Sequence, residues 1–412
     1  MKNKFLLEMQ SRGYLNQCTD LGKLDEICNK KSISGYIGFD CTASSLHVGS
    51  LLQIMILKLM QKYGHQPIIL LGGGTTLIGD PSGKDSTRKI LDQKEIKNNI
   101  QSIKKVFNKI LDTTNKNIKP IFVDNGEWLT KLNYIQFLRD IGCHFTINKM
   151  LTFDSVKLRL EREQSLSYME FNYMILQAYD FYQLFNTKNC ILQIGGSDQW
   201  GNIVNGVELI RRKLQKDSFG LTSPLITLAS GSKMGKTEKG AIWLNEDLFS
   251  SYDYWQFWRN TDDRDVKRFL NFFTKIESVE IDMICKNEKN INNLKIILAN
   301  EATKILHGEL ASKKAEQTAK ETFEGSGLGS GLPEIKIKSN EIIKGINLLE
   351  FLSKNKIMSS KSEVRRAIVN NGLKINNILV VDENKILRET DFKEKILKIS
   401  YGKKRHYLVK II

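Results

Sequence analysis

The sequence lacks any run of 18 uncharged apolar residues, so we expect no membrane-spanning helix and no membrane partner. Its first 15 residues mix charges of both signs and have no apolar core, so we expect no secretory signal peptide. The six cysteines are scattered without a C-x-x-C pair, which argues against a zinc site and a disulfide framework. Such cysteine usage favours a reducing, cytoplasmic location. With only five prolines and 41% apolar residues, the chain of 412 residues fits a soluble globular protein of two or three domains.

Acidic residues are too few to balance the basic ones, and the net charge is +16 at pH 7. The surplus is uneven, because residues 331–412 hold 18 Lys and Arg against 9 Asp and Glu. A basic terminal segment favours a polyanionic partner, although a generally lysine-rich surface would give a similar charge.

The first 245 residues alternate strand-like and helix-like patterns. Short apolar runs followed by glycine or aspartate predict strands near 35–40, 67–73, 119–125 and 190–196, and a helix is predicted over 47–62. This alternation is typical of an α/β fold with a Rossmann-like, doubly wound parallel sheet, whose ligands lie beyond the carboxyl ends of the strands. We therefore predict a catalytic domain over 1–245.

The spacing of apolar residues is different in the rest of the chain. Apolar residues recur every three or four positions after residue 246, which predicts an α-helical domain over 246–323. The stretch "EGSGLGSGLP" begins a Gly/Ser-rich linker over 324–340, and a small basic domain is predicted over 341–412.

The stretch "SSLHVGSLL" opens a predicted helix with His47, Gly49 and Ser50. Free N–H groups of a first helical turn attract anions, and the histidine and serine side chains add donors there. The pattern predicts a site for a negatively charged group.

Two further glycine clusters carry charged residues. "LLGGGTTLIGDPSGKDSTR" (70–88) follows a predicted strand, and it matches neither the Walker loop nor G-x-G-x-x-G. "LASGSKMGKTEKGAIW" (228–243) brings several lysines together, as phosphoryl chemistry requires of groups that balance a developing negative charge. Each cluster alone could also be an ordinary turn.

A fourth pair of segments places polar side chains on a predicted helix and after a predicted strand. Tyr173, Gln177 and Asp180 lie at i, i+4 and i+7, so they share one helix face. That row needs a polar partner if it is buried. In "LQIGGSDQWGN" (192–202), Asp198 and Gln199 follow the glycines directly.

Together and in this order, "HVGS" and "KMGKT" resemble the two signatures of the class I aminoacyl-tRNA synthetases. "YIGFD", "LIGDPSGK" and "GGSDQWGN" are similar to segments of the bacterial tyrosyl-tRNA synthetases, and the resemblance covers essentially the whole chain. Ser50 stands where the fuller first signature has a second histidine. Gly235 and Thr237 replace the serines of the commonest lysine loop. We expect neither departure to abolish activity.

This resemblance implies that ATP activates L-tyrosine to tyrosyl-adenylate with release of pyrophosphate, and that tyrosine is then transferred to the 3′ end of tRNA(Tyr). Mg²⁺ would accompany ATP without a dedicated protein metal site. The catalytic residues implied are His47, Ser50, Thr42, Lys84, Arg88, Lys233, Lys236 and Thr237. Those implied for tyrosine are Tyr36, Asp40, Asp80, Tyr173, Gln177, Asp180 and Gln199, with Asn125 as a further candidate. Those implied for ATP are Gly38, Gly49, Gln193, Gly196, Asp198 and Lys236.

Two residues of "DNGEWL" have a simpler interpretation. Asn125 could be a turn residue, and Trp128 could be an anchor in the core.

Residues 348–387 resemble the RNA-binding domain named after ribosomal protein S-four, with Lys361, Arg365 and Arg366 as candidate RNA contacts. We expect Ser360 and Ser362 to cap the helix that carries them. The resemblance also implies that 246–323 contacts the anticodon region and that the protein is a homodimer.

Three other interpretations were compatible with parts of the sequence. Tryptophanyl-tRNA synthetases share the fold and both signatures, but Asp180 opposite Tyr36 argues for tyrosine. Small-molecule adenylyltransferases lack the lysine loop followed by RNA-type domains. An RNA-binding protein that had lost activity would have no need to keep His47 and Asp80 together.

Overall fold

The computed structural model describes residues 1–80, 91–232, 234–237, 240–323, 332–343, 345–402 and 405–412. The helices are α1 Lys4–Ser11, α2 Leu21–Lys30, α3 Leu51–Lys62, α4 Thr75–Ile78, α5 Gln93–Ile110, α6 Gly126–Leu129, α7 Tyr134–Asp140, α8 Ile147–Met150, α9 Asp154–Glu161, α10 Tyr168–Lys188, α11 Trp200–Leu214, α12 Ser251–Arg259, α13 Val266–Phe273, α14 Ser278–Asn287, α15 Ile291–His307, α16 Glu309–Phe323, α17 Ser339–Ile343, α18 Leu348–Lys354 and α19 Lys361–Val369. The strands are β1 Gln17–Cys18, β2 Ser34–Asp40, β3 Gln66–Gly72, β4 Ile121–Asp124, β5 Cys190–Gly196, β6 Phe219–Ser223, β7 Lys236–Thr237, β8 Gly240–Ala241, β9 Glu334–Ile337, β10 Ile346–Asn347, β11 Leu373–Ile375, β12 Ile378–Leu379, β13 Ile386–Leu387, β14 Ile396–Tyr401 and β15 Arg405–Ile411.

The chain forms two compact units. The first consists of Met1–Phe249 and Trp258–His307, and the second of Ser250–Phe257 and Gly308–Ile412. Helices α13 to α15 therefore belong to the same compact unit as the large sheet. The division into domains at 245, 323 and 340 stays a prediction, and residues 324–331 of the predicted linker lie outside the described residues.

A six-stranded sheet in the order β1-β6-β5-β2-β3-β4 forms the centre of the first unit. Strands β2 to β6 are parallel, and β1 pairs antiparallel at one edge. After the edge strand β1, the chain enters the parallel sheet at β2, runs outward through β3 to β4, and returns to β5 and β6 on the other side of β2. This confirms the predicted Rossmann-like, doubly wound topology. The antiparallel strand β1 and the parallel strand β6 were not predicted, since the two residues of β1 carry no periodicity and β6 is not a continuous apolar run.

Buried apolar stripes on the connecting helices explain why the chain folds this way. In α5 the buried residues Ile96, Ile100, Ile103 and Phe107 recur at helical spacing, and Asp92 caps the helix by accepting from the N–H of Glu95. Phe107 packs edge-on against Phe39 of β2, with ring centroids 4.9 Å apart. The helix thereby covers the sheet.

Helix α10 is fixed at both ends. Ser167 and Glu170 form a reciprocal capping box at its start, and Asn189 ends it in the left-handed conformation with φ of 50°. Glu170 is also paired with the buried guanidinium of Arg159 at 3.0 Å. These contacts set the position of the helix that carries the polar row predicted from the sequence.

The second unit contains a five-stranded sheet in the order β12-β11-β14-β15-β9. Its core includes Leu348, Leu352, Val364, Leu397 and Val409, from α18, α19 and the sheet. Ser360 caps α19 by accepting from the N–H of Glu363, as predicted. The predicted capping role of Ser362 is wrong, because this residue lies inside the first turn of the helix.

Among the residues described, no helix is both long enough and apolar enough to cross a membrane.

Candidate active site

A cavity of about 430 Å³ lies in the first unit, where β2, β3, β5 and β6 end. Aligned registers such as Asp40 with Gly72 and Gly196 with Ser223 bring these strand ends to one edge of the sheet. The lining includes these residues predicted for the site: Tyr36, Gly38, Asp40, Thr42, His47, Gly49, Ser50, Asp80, Tyr173, Gln177, Asp180, Gln193, Gly196, Asp198 and Gln199.

The most buried part of this lining holds a carboxylate and a phenol. Asp180 and Tyr36 are each 1% exposed, and the ring of Tyr36 packs against Phe181 at 5.5 Å. The hydroxyl of Tyr36 has no hydrogen-bond partner among the described residues. A buried hydroxyl left in this state is a strong indication that a ligand supplies the partner.

Two long-range donors hold the Asp180 carboxylate. The Nδ2 of Asn125 donates to Oδ2 at 2.8 Å, and the indole Nε1 of Trp128 donates to Oδ1 at 2.7 Å. Burial raises the pKa of Asp180 to about 7, and the two donors act in the opposite direction. Burial, followed by the nearby Asp180, also raises the pKa of Tyr36 well above its ordinary value.

Asn125 does not line the cavity itself but holds residues that do. Its Oδ1 accepts from the backbone N–H of Gly74 at 2.8 Å, and its Nδ2 also donates to the Oγ1 of Thr75 at 3.0 Å. It thus connects the turn after β3 with Asp180 on α10. Asn125 is therefore more than a turn residue, and Trp128 is more than a core anchor, because both donate a hydrogen bond to Asp180.

A hydrogen-bonded row continues from Asp180 along α10. The hydroxyl of Tyr173 donates to Oδ1 of Asp40 at 3.4 Å, and Nε2 of Gln199 donates to Oδ2 of Asp80 at 3.0 Å. Gln177 donates to Oε1 of Gln199 at 3.4 Å. The helix face predicted from the i, i+4, i+7 spacing therefore faces the carboxylates at the strand ends.

The two signature segments lie directly against each other. The N–H of Val48 donates to the carbonyl of Ile242 at 2.8 Å, and His47 forms an isolated antiparallel bridge with Trp243. Nδ1 of His47 accepts from the N–H of Gly49 at 3.0 Å, so a neutral ring carries its proton on Nε2.

This contact explains both glycines. A Cβ on Gly235, whose φ is +102°, would lie 2.5 Å from Nδ1 of His47. A Cβ on Gly49 would lie 2.9 Å from the carbonyl oxygen of Met234. Gly49, which the resemblance implies for ATP, thus lies in the cavity lining and also against the backbone of the lysine loop.

Several predicted catalytic residues cannot be placed. Lys84, Arg88 and Lys233 lie outside the described residues, as do the side chains of Lys236 and Thr237. The backbone of the last two forms β7, paired with β8.

The candidate RNA contacts lie in the second unit, on α19. Lys361 is paired with Glu350 at 2.6 Å and Arg365 with Glu383 at 3.5 Å, while Arg366 occupies the last turn of the helix. All the ion-paired side chains here are about half exposed, so these pairs are weak and leave the cations available.

Sequence reasoning missed two residues of the site. Trp128 donates to Asp180 across 52 positions of sequence, and no local pattern could have shown this. Asn202 is 4% exposed and donates to Gln177 and Gln199. It lies three residues after Gln199, on the same helical face, and that spacing was a usable signal.

Comparison with known proteins gives consistent matches over the chain. A family model described as tRNA synthetases class I (W and Y) matches residues 29–324. One described as the tyrosine–tRNA ligase SYY-like C-terminal domain matches residues 326–409.

Two curated relatives match over nearly their full lengths. The chain is 59% identical over 410 residues to the tyrosine–tRNA ligase of Pelagibacter ubique, covering 100% of both chains. It is 53% identical over 409 residues to that of Zymomonas mobilis, covering 99% of this chain and 98% of the relative. A crystal structure of a C-terminally truncated Aspergillus nidulans mitochondrial tyrosyl-tRNA synthetase is similar with a TM-score of 0.69 and 28% identity, covering 78% of this chain and 95% of that one.

The raised pKa of Asp180 predicts a pH-dependent cost in stability. The folded-state pKa of about 7 lies above the ordinary value of about 3.9, so the folded protein holds this proton more tightly than the unfolded chain. The contribution of Asp180 to the free energy of unfolding therefore falls as the pH rises from 5 to 8. Between pH 5 and 8, the free energy of unfolding of Asp180→Asn should rise by about 1–3 kcal/mol relative to that of the parent, measured by urea unfolding.

Asp112→Asn is the control. Hydrogen bonds from Thr114 lower the pKa of the exposed Asp112, so its contribution is already complete at pH 5. The difference in free energy of unfolding between Asp112→Asn and the parent should not change between pH 5 and 8. If the difference in free energy of unfolding between Asp180→Asn and the parent were also constant, the raised pKa of Asp180 would be contradicted.

Proposed function

The chain belongs to the class I tRNA synthetases of the tryptophan and tyrosine group and is a tyrosine–tRNA ligase, and we propose that the cavity described above activates its amino acid. The observation that carries this proposal is the pair of a buried Asp180 carboxylate and an unpartnered Tyr36 hydroxyl in one cavity. Tyrosine and ATP would form tyrosyl-adenylate and pyrophosphate there, before the tyrosine is transferred to the 3′ end of tRNA(Tyr).

The pair supports selection of tyrosine by its phenol. A substrate hydroxyl can donate to the Asp180 carboxylate and accept from the hydroxyl of Tyr36. Phenylalanine would leave the buried Tyr36 hydroxyl without a partner and the buried Asp180 carboxylate with only its two protein donors, which costs far more than the loss of one contact between exposed groups. The indole of Trp128 and the amide of Asn125 hold the carboxylate in position before the substrate binds.

The charged end of tyrosine fits the row along α10. We assign the α-ammonium to Asp80, Tyr173 and Gln177, and place the carboxylate near Asp40 and Gln199. All five residues line the same cavity as Asp180. The amino acid would thus be held at both ends.

Activation requires no general base, because the attacking carboxylate is already ionised near neutral pH. One of its oxygens forms a bond to the α-phosphorus of ATP while the bond to the pyrophosphate oxygen breaks, and the electron pair leaves with pyrophosphate. Catalysis then consists of positioning and charge stabilisation.

We assign the stabilisation of the phosphates to donors from the two signature segments. The Nε2–H of His47, Ser50 and Thr42 line the cavity. The remaining cations and donors of this set are proposed from the sequence alone: Lys84, Arg88, Lys233, Lys236 and Thr237.

ATP is the second substrate, and we place its adenosine against Gly38, Gly49, Gln193, Gly196 and Asp198, which share the cavity lining. Mg²⁺ would arrive with ATP, bound by phosphate oxygens. The described residues contain no group of three His, Cys, Asp or Glu side chains suited to a metal ion, so no protein ligands are assigned to it.

The basic second unit is the proposed partner of tRNA(Tyr). Lys361, Arg365 and Arg366 share one short helix, and the segment 331–412 holds 18 Lys and Arg against 9 Asp and Glu. Contacts of this kind with the phosphate backbone recognise shape rather than sequence. We retain 246–323 as the proposed contact with the anticodon region.

Exposed apolar side chains in the first unit support a homodimer. Between residues 134 and 168 the exposed large apolar side chains are Tyr134, Ile135, Leu138, Ile147, Leu151, Leu158, Leu160 and Tyr168. A concentration of this kind is characteristic of protein–protein interfaces. A cytoplasmic location remains part of the proposal, supported by six free cysteines.

The activity is tested by amino-acid-dependent exchange of labelled pyrophosphate into ATP. Tyrosine should support exchange, and phenylalanine and tryptophan should give rates at least about a hundredfold lower at equal concentration. Tyr36→Phe should raise the KM for tyrosine about tenfold, because the phenol loses one partner. Tyr179→Phe, a neighbouring tyrosine of α10 outside the cavity, is the control. Exchange with tryptophan instead of tyrosine would overturn the assignment of the pocket.

The homodimer is tested by sedimentation velocity. The parent should sediment as a dimer of 47.2 kDa chains. Ile135→Glu should shift it to the monomer, because the side chain is 72% exposed in the single chain and would bury a charge in the interface. Leu310→Glu, at an exposed position outside the cluster, should remain dimeric. A monomeric parent would contradict the proposal.

A further inference from the structure

Asn202 lies behind the cavity rather than in its wall. It is on α11, 4% exposed, and its Nδ2 donates to Oε1 of Gln177 at 3.0 Å and to Oε1 of Gln199 at 3.2 Å. A primary amide has two N–H donors on that nitrogen, so both are directed to glutamine oxygens. One buried residue therefore contacts two residues of the cavity wall.

These bonds determine the orientation of both glutamine amides. With the Oε1 atoms accepting from Asn202, the Nε2 atoms are turned to the cavity residues. Nε2 of Gln199 donates to Asp80 at 3.0 Å and is 3.5 Å from Oδ2 of Asp198, and Nε2 of Gln177 is 3.4 Å from Oε1 of Gln199. Without Asn202, each amide could rotate by half a turn and present its oxygen instead.

The orientation matters because of the charges around it. Asp40, Asp80 and Asp198 line the same cavity, and all three would repel an incoming carboxylate. Amide N–H groups among them offset this repulsion, whereas amide oxygens would add to it.

We propose that Asn202 is a positioning residue that holds Gln199 with its amide N–H group toward the carboxylate of tyrosine. This inference rests on the proposed function, in which that carboxylate is the nucleophile. Asn202 itself touches no substrate and acts on the carboxylate through Gln199.

The test compares tyrosine with tyramine, which keeps the phenol and the ammonium but has no carboxylate. In Asn202→Leu, a neutral side chain of similar size, the KM for tyrosine in pyrophosphate exchange should rise at least about fivefold. In Asn202→Asp, which can only accept, both amides should reverse and the rise should reach at least about tenfold. In Asn202→Leu the inhibition constant of tyramine should rise less than the KM for tyrosine, because Asp80 and Tyr173 also hold the ammonium, and the KM for ATP should change less than twofold.

Asn205→Asp controls for the added charge. Asn205 is buried on the same helix, and its Nδ2 has no hydrogen-bond partner among the described residues. If charge alone weakened tyrosine binding, Asn205→Asp would also raise the KM for tyrosine. We expect this KM to change less than twofold. Thermal unfolding of every variant reports its folding.

Two results would overturn the inference. Equal weakening of tyrosine and tyramine in Asn202→Leu would indicate a general structural role, and an unchanged KM for tyrosine in a folded Asn202→Asp would show that the amides do not depend on it. Absence of tyrosine-dependent exchange in the parent would instead remove the proposed function together with this inference.

Discussion

The Asp180 carboxylate is the constraint on which the rest of the site depends. A carboxylate that is 1% exposed is costly to ionise, and its pKa of about 7 expresses that cost. The chain offsets part of it with donors from Asn125 and Trp128, which follow a different strand. A substrate phenol can supply a further donor. In the proposed function, the same burial that destabilises the protein without substrate makes the site selective, since a ligand without a hydroxyl forms no hydrogen bond with Asp180 or Tyr36.

The second constraint is geometric and comes from the parallel sheet. Five strands end at one edge, so short segments distant in sequence meet there: "YIGFD", "GGG", "DNG" and "GGSDQ". The backbone of 234–235 packs against His47 and Gly49 so closely that a Cβ on Gly235 would collide with the histidine ring. The glycine in this lysine loop is therefore required by packing, and the two signature segments form one structural element. Any movement of the backbone at 234–235 would therefore change its contact with the His47 ring.

The sequence predicted four of the five parallel strands and most of the cavity wall, because both follow from local patterns. Buried apolar runs mark the parallel strands, and the spacing of Tyr173, Gln177 and Asp180 marks one face of a helix. The family resemblance supplied roles for these residues, which spacing cannot. What escaped prediction depends on contacts across long separations: the indole of Trp128 reaches a residue 52 positions away, and β1 is too short to show a pattern.

The central claim is that the phenol of tyrosine lies between Tyr36 and Asp180, and a crystal structure of the full chain with bound tyrosine tests it most directly. The account predicts the phenolic oxygen within hydrogen-bonding distance, about 2.5–3.0 Å, of both the Tyr36 hydroxyl and the Asp180 carboxylate. The contacts of Asn125 and Trp128 with that carboxylate should be unchanged. Tyrosine bound with its ring elsewhere in the cavity, or with its hydroxyl paired to neither group, would contradict the account.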